Sequence, residues 1–461
     1  MALFALTALS LLIGFPQDLA GKPQGDPDPR LKSVLGKSDM SSLNKKAQDW
    51  IPSIIEWENA TKGASKARKS HDRAKAKFMK VFDSKSKKAP LLANVGDLLG
   101  IFSNAFEYKR ESTSGEIKKI SKKGSDFIYN YLAPKRYDPR KSYPSVVVLP
   151  GLNDKKSWED PREYMVAAWK GTPSYADTIF VTPEMLESDY EAKPDLTTST
   201  GSTEEINRIR GVLGVFGEVQ RKFRLDRRRM FLDCGVGTGA FGLRLATYFP
   251  DRFSGLILRA PILPEGLSLE SMGRVPILLI STAETAATCD KIQKVLDAVE
   301  PGFVTIVQGS GAAPYSEASG EIDAWMRSKA RELFPKEVVV MPNHDRFQSA
   351  HWVQIIASEP LESVGKDERP FVRVKSDPAN NRIIITTRSV SEMGLYLNDC
   401  FVDLSKEVVF VVNGQEIKGN QFQRSMKVLT QYMIRRYDPT FLYTAYHRFE
   451  VPSVPKDDKG K

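Results

Sequence analysis

Phe231-Leu232-Asp233-Cys234-Gly235-Val236-Gly237-Thr238-Gly239-Ala240 is an apolar run followed by a turn with glycine at alternate positions. Glycine permits a tight turn and close backbone approach without steric cost. The run before the turn suits a strand, and Ala240–Phe249 after it has helical character. The local reading is strand, sharp turn, helix.

Working outward, the same grammar repeats. Ser145–Leu149, Thr178–Val181, Gly255–Leu258, Pro276–Ile280 and Val304–Val307 are short and continuously apolar. Such runs suit strands buried on both faces of a parallel sheet. Helical stretches lie between them at Glu204–Lys222, Cys289–Glu300 and Glu317–Leu333. Strands alternating with helices predict a doubly wound α/β sheet.

The flanks differ in pattern. Met1 to Phe15 is an apolar run too short for a comfortable membrane span, and it fits the core of a secretory signal at residues 1–20. It lacks Lys and Arg ahead of the run, and a cut after Ala20 would put Asp18 where a small residue is wanted. The expected location is therefore secreted or periplasmic. Residues 21–40 have a linker composition. Residues 41–123 read as helices, with Ala47, Ile51, Ile54, Ile55 and Trp57 near helical spacing. Residues 124–335 carry the α/β pattern. Residues 336–453 are short, β-branched segments with one hairpin dipeptide, Asn413-Gly414, and one helix at Gln421–Arg435. A polar tail fills 454–461.

Three further stretches carry a family resemblance. Tyr129–Gly151 (Tyr-Asn-Tyr-Leu-Ala-Pro-Lys-Arg-Tyr-Asp-Pro-Arg-Lys-Ser-Tyr-Pro-Ser-Val-Val-Val-Leu-Pro-Gly) resembles the first strands of secreted esterases and prolyl-oligopeptidase-like peptidases. Tyr248–Pro261 resembles the helix and strand after their nucleophile turn. The β-rich tail is similar to an appendage on some bacterial members. The resemblance implies an α/β-hydrolase fold over about residues 125–335. Its Gly-x-Ser-x-Gly motif aligns Gly235 and Gly239 with the outer glycines, and Gly237 stands where the serine belongs. A Gly-x-Gly-His type loop aligns Ala312 with the general base. Glu284 stands close to the place of the triad acid, about one residue off. Pro150-Gly151 replaces a His-Gly pair, which makes the Leu152 N–H a candidate oxyanion donor beside Thr238.

Without a serine at Gly237 or an imidazole at Ala312, no ordinary triad can form. The leading expectation is a non-catalytic relative that binds a small molecule, peptide or protein. A hydrolase using a displaced pair, Thr238 with Glu284, is the alternative. A third reading is an S-adenosylmethionine-dependent methyltransferase, because Leu232-Asp233 with Gly235, Gly237, Thr238 and Gly239 resembles that family's first motif. An acid is then wanted at the end of the next strand, and that strand ends in Arg259-Ala260-Pro261.

The remaining chemistry-bearing residues have structural expectations. Thr238 is expected to cap the helix that follows. Cys234 is expected as a core thiol. His344 and His351 are expected in structural or surface roles, Asp399 and Asp403 in loops and turns, and Arg227-Arg228-Arg229 in a solvated loop. Three cysteines, widely spaced, form neither a disulfide framework nor a zinc pattern, and four histidines form no His-rich tract. No cofactor or metal site is expected. The net charge of +10 is spread through Lys62–Lys88, Lys118–Lys123 and Arg221–Arg229 without a nucleic-acid motif.

Overall fold

A computed structural model of the chain describes residues 31–121, 127–153, 156–158, 160–185 and 203–452. The expected signal peptide, the linker as far as residue 30 and the polar tail lie outside the described residues.

The chain opens with three helices, α1 (Lys37–Glu58), α2 (Ala64–Ser86) and α3 (Val95–Phe102). Eight strands then build the main sheet. They are β1 (Lys118–Ile120), β2 (Tyr129–Leu132), β3 (Tyr143–Leu149), β4 (Ile179–Pro183), β5 (Leu225–Cys234), β6 (Gly255–Arg259), β7 (Ile277–Ser281) and β8 (Val304–Gln308). Their order across the sheet is β1-β2-β4-β3-β5-β6-β7-β8. β1 and β2 pair antiparallel, as do β2 and β4. From β4 to β8 every pairing is parallel. This is an α/β-hydrolase sheet, with the glycine turn leaving the C-terminal end of the central strand β5.

The continuously apolar strands follow from double burial. Val146, Val148, Phe231, Ile257, Leu278 and Ile280 pack on one face, against α4 (Pro161–Trp169). Their alternates Val147, Leu149, Leu232, Leu256, Leu258 and Leu279 pack on the other. That second face is covered by α5 (Thr203–Lys222), α6 (Gly239–Tyr248) and α7 (Ala286–Asp297). Helix α8 (Ser319–Ser328) joins α4 on the first face through Ile322, Trp325 and Met326. Side chains alternate across a strand, so each strand residue is enclosed by one helical layer or the other.

The rest of the chain is two packed sheets. Strands β9 (Glu337–Val340), β12 (Phe371–Asp377), β13 (Arg382–Arg388), β15 (Val408–Val412) and β16 (Gln415–Asn420) form one, in the order β9-β12-β13-β15-β16. Strands β10 (Ser349–Ala350), β11 (Val353–Ser358), β14 (Val390–Leu397) and β17 (Ala445–Glu450) form the other, in the order β10-β11-β14-β17. Asn413 and Gly414 turn β15 into β16 with φ of 49° and 82°, the left-handed pair that a two-residue hairpin needs. Helix α9 (Met426–Arg436) precedes β17.

The N-terminal region departs from expectation in three ways. It is not a separate segment: Leu43, Trp50, Ile51, Phe78, Leu98 and Phe102 share one hydrophobic cluster with the two-sheet unit's Trp352, Phe401, Phe410 and Tyr443. Amphipathic helices must bury their apolar stripe somewhere, and here the sheets supply the surface. Helix stops well short of residue 123, and Lys118–Ile120 is the edge strand β1. The end of the expected linker is docked. Asp97, wholly buried, accepts from Ser33 Oγ and from the amides of Val34 and Leu35 at 3.1 and 3.0 Å. Arg227-Arg228-Arg229 is also not a loop. It lies within β5, and Arg227 is buried, donating to the Gln220 carbonyl at 3.3 Å.

Charged groups fasten the two units. Buried Asp251, just after α6, receives Arg436 of α9 at 2.5 Å. Arg331 donates to the Asp251 carbonyl at 2.7 Å and pairs with Asp438 at 2.8 Å. Burial, the largest single influence, would raise the Asp251 pKa, but Arg436, His351, Arg252 and Arg331 together outweigh it and the carboxyl titrates below its ordinary range. The amide of His351 donates to Asp251 at 3.2 Å. Burial pushes the His351 imidazole down to about 4.

The pH dependence follows. Between the ordinary 6.5 and about 4, the unfolded chain takes up a proton at residue 351 that the folded chain refuses. Stability is therefore complete above that window and falls as pH falls through it. His351→Gln is expected to remove a loss on the order of 2 kcal/mol between neutral pH and about pH 4.5. His71 and His447, also lowered by burial, leave a residual slope. Urea midpoints measured across the window check this, and identical pH slopes for the two proteins would refute it.

Candidate functional site

The turn after β5 is built from backbone contacts that only glycine allows. A Cβ on Gly151 would lie 2.3 Å from the Val236 nitrogen. One on Gly235 would lie 2.5 Å from the Gly151 nitrogen. The end of β3 therefore presses directly on the turn, which brings Leu152 beside it. Leu152 opens a two-residue antiparallel pairing, with Ser157 opposite. Gly237 adopts a φ of 91°, a left-handed conformation that an L residue holds only under strain.

Hydrogen bonds close this turn on itself. The Gly235 amide donates to the Leu149 carbonyl at 3.0 Å, and the Thr238 amide donates to the Gly235 carbonyl at 3.0 Å. The Thr238 hydroxyl donates to Gly235 O at 3.0 Å and lies 3.4 Å from Leu149 O. Thr238 is wholly buried. Two expectations are corrected here. The Thr238 side chain makes no capping bond to α6, because its hydroxyl points back into the turn. Its amide is spent within the turn and is not free to hold an oxyanion.

The structure does not bring the other expected residues together with Thr238. Glu284 is exposed in the turn between β7 and α7, where its charge acts on Tyr315 and raises that phenol's pKa after burial has done so. Ala312 is exposed in the loop after β8, its carbonyl accepting from the Tyr315 amide at 2.8 Å. Those two loops do converge, since the Gly309 amide donates to Ser281 O at 2.7 Å. No histidine reaches the turn. His344 is buried against Tyr248 and Phe347, and Tyr248 ends α6, about 15 Å along the helix from Thr238. His351 lies at the unit junction, His71 stacks on Trp57, and His447 packs on Phe410 and Phe449.

Cys234 is a buried core thiol. Its sulfur fills the space beside Gly242, where a Cβ would approach it to 2.2 Å. Burial, then the Asp233 charge, pushes its pKa well up. Asp399 is held by Arg424 through two bonds and also accepts from the Leu404 amide. Asp403 pairs with Lys406. Among the described residues no group of His, Cys, Asp and Glu could hold a metal ion.

Sequence reasoning missed the feature beneath the turn. Asp233 and Arg259 form a wholly buried ion pair. Arg259 Nε donates to Asp233 Oδ1 at 2.9 Å and Nη2 to Oδ2 at 3.0 Å. Trp169 Nε1 of α4 donates to the same carboxylate at 2.7 Å. Arg259 Nη1 donates to the Pro314 carbonyl at 2.6 Å, which ties in the loop that carries Ala312. Burial, the largest single influence, would lower the Arg259 pKa, and the charge and hydrogen bonds of Asp233 together with Tyr164 and Cys234 more than reverse this. The signal lay in two charges ending adjacent apolar strands, at the register where Asp233 stands beside Ile257. Arg259 here takes the position that a methyltransferase needs for an acid to hold the cofactor ribose. Its guanidinium is committed to Asp233, which speaks against that reading.

No family model and no curated protein matches the chain. Solved structures resemble it over about half its length. A thermostable esterase is 15% identical with a TM-score of 0.34, covering 47% of this chain, which in turn spans 64% of that esterase. An S-formylglutathione hydrolase from Agrobacterium tumefaciens is 13% identical with a TM-score of 0.33, covering 48% of this chain and 99% of its own. A ferulic acid esterase from Anaeromyces mucronatus is 16% identical with a TM-score of 0.32, over 49% and 95%. Similarity at this level does not extend to activity or substrate. The α/β-hydrolase assignment rests on the sheet order and the turn after β5.

Breaking one side of a buried ion pair leaves an uncompensated charge. Arg259→Met is therefore expected to cost about 3–5 kcal/mol in urea unfolding. The double variant Asp233→Leu, Arg259→Met is expected to lose less than Arg259→Met alone. Additive losses in that double-mutant cycle would show that the pair does not act as a unit.

Proposed function

We propose that this protein is a non-catalytic relative of secreted esterases, a hydrolase-fold scaffold that binds a ligand or partner without hydrolysing it. The observation that carries this reading is the state of the turn after β5. Gly237 has no side chain to attack a carbonyl. The neighbouring hydroxyl, Thr238, is wholly buried and bonded to backbone carbonyls. A base is missing as well, with Ala312 exposed in the loop where an imidazole would stand. Two separate chemical roles are vacant, and restoring either alone would leave the other empty.

The buried pair of Asp233 and Arg259 supports the same reading. It spends an acid and a base on each other directly below the turn, and it holds the Pro314 loop by a carbonyl. The apolar run Met1–Phe15 supports action outside the cytoplasm. The displaced pair of Thr238 and Glu284 has no support from the geometry, since no hydrogen bond joins a buried hydroxyl to an exposed carboxylate.

The test is direct. Turnover of p-nitrophenyl acetate is expected to match the solvent background and to be unchanged by Thr238→Ala. A fluorophosphonate probe is expected to leave both the natural protein and Gly237→Ser unlabelled, because a serine there still lacks a base. Saturable ester hydrolysis lost on Thr238→Ala or Glu284→Gln would overturn the proposal.

A further inference from the structure

The junction between the two units holds a cleft of about 260 Å³ whose lining joins aromatic rings with arginines. Tyr248 and Phe249, at the end of α6, meet Phe347 with ring centroids 5.1 and 4.9 Å apart. Tyr396 of β14 and Tyr432 of α9 pack 4.0 Å apart across from them. Arg252, Arg346, Arg435 and Arg436 line the same cleft, and no Asp or Glu does.

The four guanidinium groups are not equivalent. Arg436 is neutralised by Asp251. Arg346 and Arg435 are exposed, and no carboxylate among the described residues pairs with either. Arg252 lies over the Phe249 ring at 5.6 Å, with its Nε buried and without a hydrogen-bond partner. The carboxylates whose charge reaches it, Asp251 and Asp438, are already held by Arg436 and Arg331. Burial, then repulsion from Arg436, pushes the Arg252 pKa down to about 10. Two cations without a carboxylate partner, and a third that shares its carboxylates with Arg436 and Arg331, therefore line a partly apolar wall.

A group that answers all of this is anionic, accepts several hydrogen bonds and carries a flat apolar body. Guanidinium forks match the oxygens of phosphate in parallel pairs. The rings offer stacking faces for a planar group. A dianion balances this charge better than a single carboxylate. The volume suits a small molecule and excludes a folded partner. We propose that this cleft binds a small phosphate monoester carried on a flat ring. Nothing in this depends on whether the turn at Gly237 is active, because the cleft lies at the far end of α6.

Titration calorimetry with the full chain tests it, using phenyl phosphate, inorganic phosphate and benzoate as probes. Phenyl phosphate is expected to bind saturably, about ten-fold more tightly than either of the others, and more weakly as salt rises. Arg346→Gln and Arg435→Gln, both at exposed positions and expected to fold normally, should each weaken it about ten-fold. Arg252→Gln should weaken it further, with a thermal melt to confirm the fold. No saturable heat up to about 10 mM phenyl phosphate would overturn the proposal. So would an unchanged affinity in the Arg346→Gln, Arg435→Gln double variant. Equal binding of inorganic phosphate or benzoate would overturn it too, since the ring or the second charge would then contribute nothing.

Discussion

A carboxylate and a guanidinium removed completely from water must satisfy each other or unfold the layer that holds them. Asp233 and Arg259 do so at the C-terminal end of the main sheet, and four pieces of chain converge on them. Asp233 lies one residue from the end of the central strand, Arg259 ends its neighbour, Trp169 closes α4 over the carboxylate, and the Pro314 carbonyl brings in the loop after β8. The turn at Gly235–Gly239 rides directly on this layer, so its geometry depends on the pair even though neither charge belongs to the turn. Here the charges face inward, and the loops after β7 and β8 are fastened to the sheet.

The sheet was legible because double burial leaves an unmistakable trace. Val146-Val147-Val148-Leu149 and Ile277-Leu278-Leu279-Ile280 admit no polar alternate, and only strands covered on both faces require that. The glycine turn was legible for a similar reason. Gly235 and Gly151 touch backbone to backbone, and no other residue fits. The partnership between α1, α3 and the distant two-sheet unit left no such trace. An amphipathic stripe says that a face is buried, and says nothing of what buries it. Arg227 and Arg259 were hidden by the same gap. A charge read alone is a surface residue, and only the third dimension supplies the Gln220 carbonyl or the Asp233 carboxylate that makes burial tolerable. Of the candidate site, the close-packed glycine turn was readable and the ion pair beneath it was not.

The two units are joined in a different physical idiom from the one that builds each. Inside them, apolar clusters carry the packing. Between them, Arg331 and Arg436 reach Asp251 and Asp438, with His351 kept neutral by burial beside them. Buried ion pairs add little net stability over apolar contacts, but they penalise every misalignment that would leave a charge alone. Such a junction fixes one relative orientation. That fixed orientation is what lets α6, the loop after β9, β14 and α9 together wall a single cleft.

The glycine at 237 also has an energetic consequence for the turn itself. A φ of 91° costs glycine nothing, whereas a side chain there would carry strain on the order of 1–2 kcal/mol. An enzyme tolerates that strain because it aims a reactive oxygen. Glycine leaves the turn relaxed in this chain, and Thr238 spends its amide on Gly235 and its hydroxyl on Gly235 and Leu149. Relaxation of the turn and closure of its hydrogen bonds favour the same conformation. This inward-bonded turn leaves both the amide and the hydroxyl of Thr238 paired with backbone carbonyls. It is well suited to anchoring the N-terminus of α6, whose other end shapes the arginine-lined cleft.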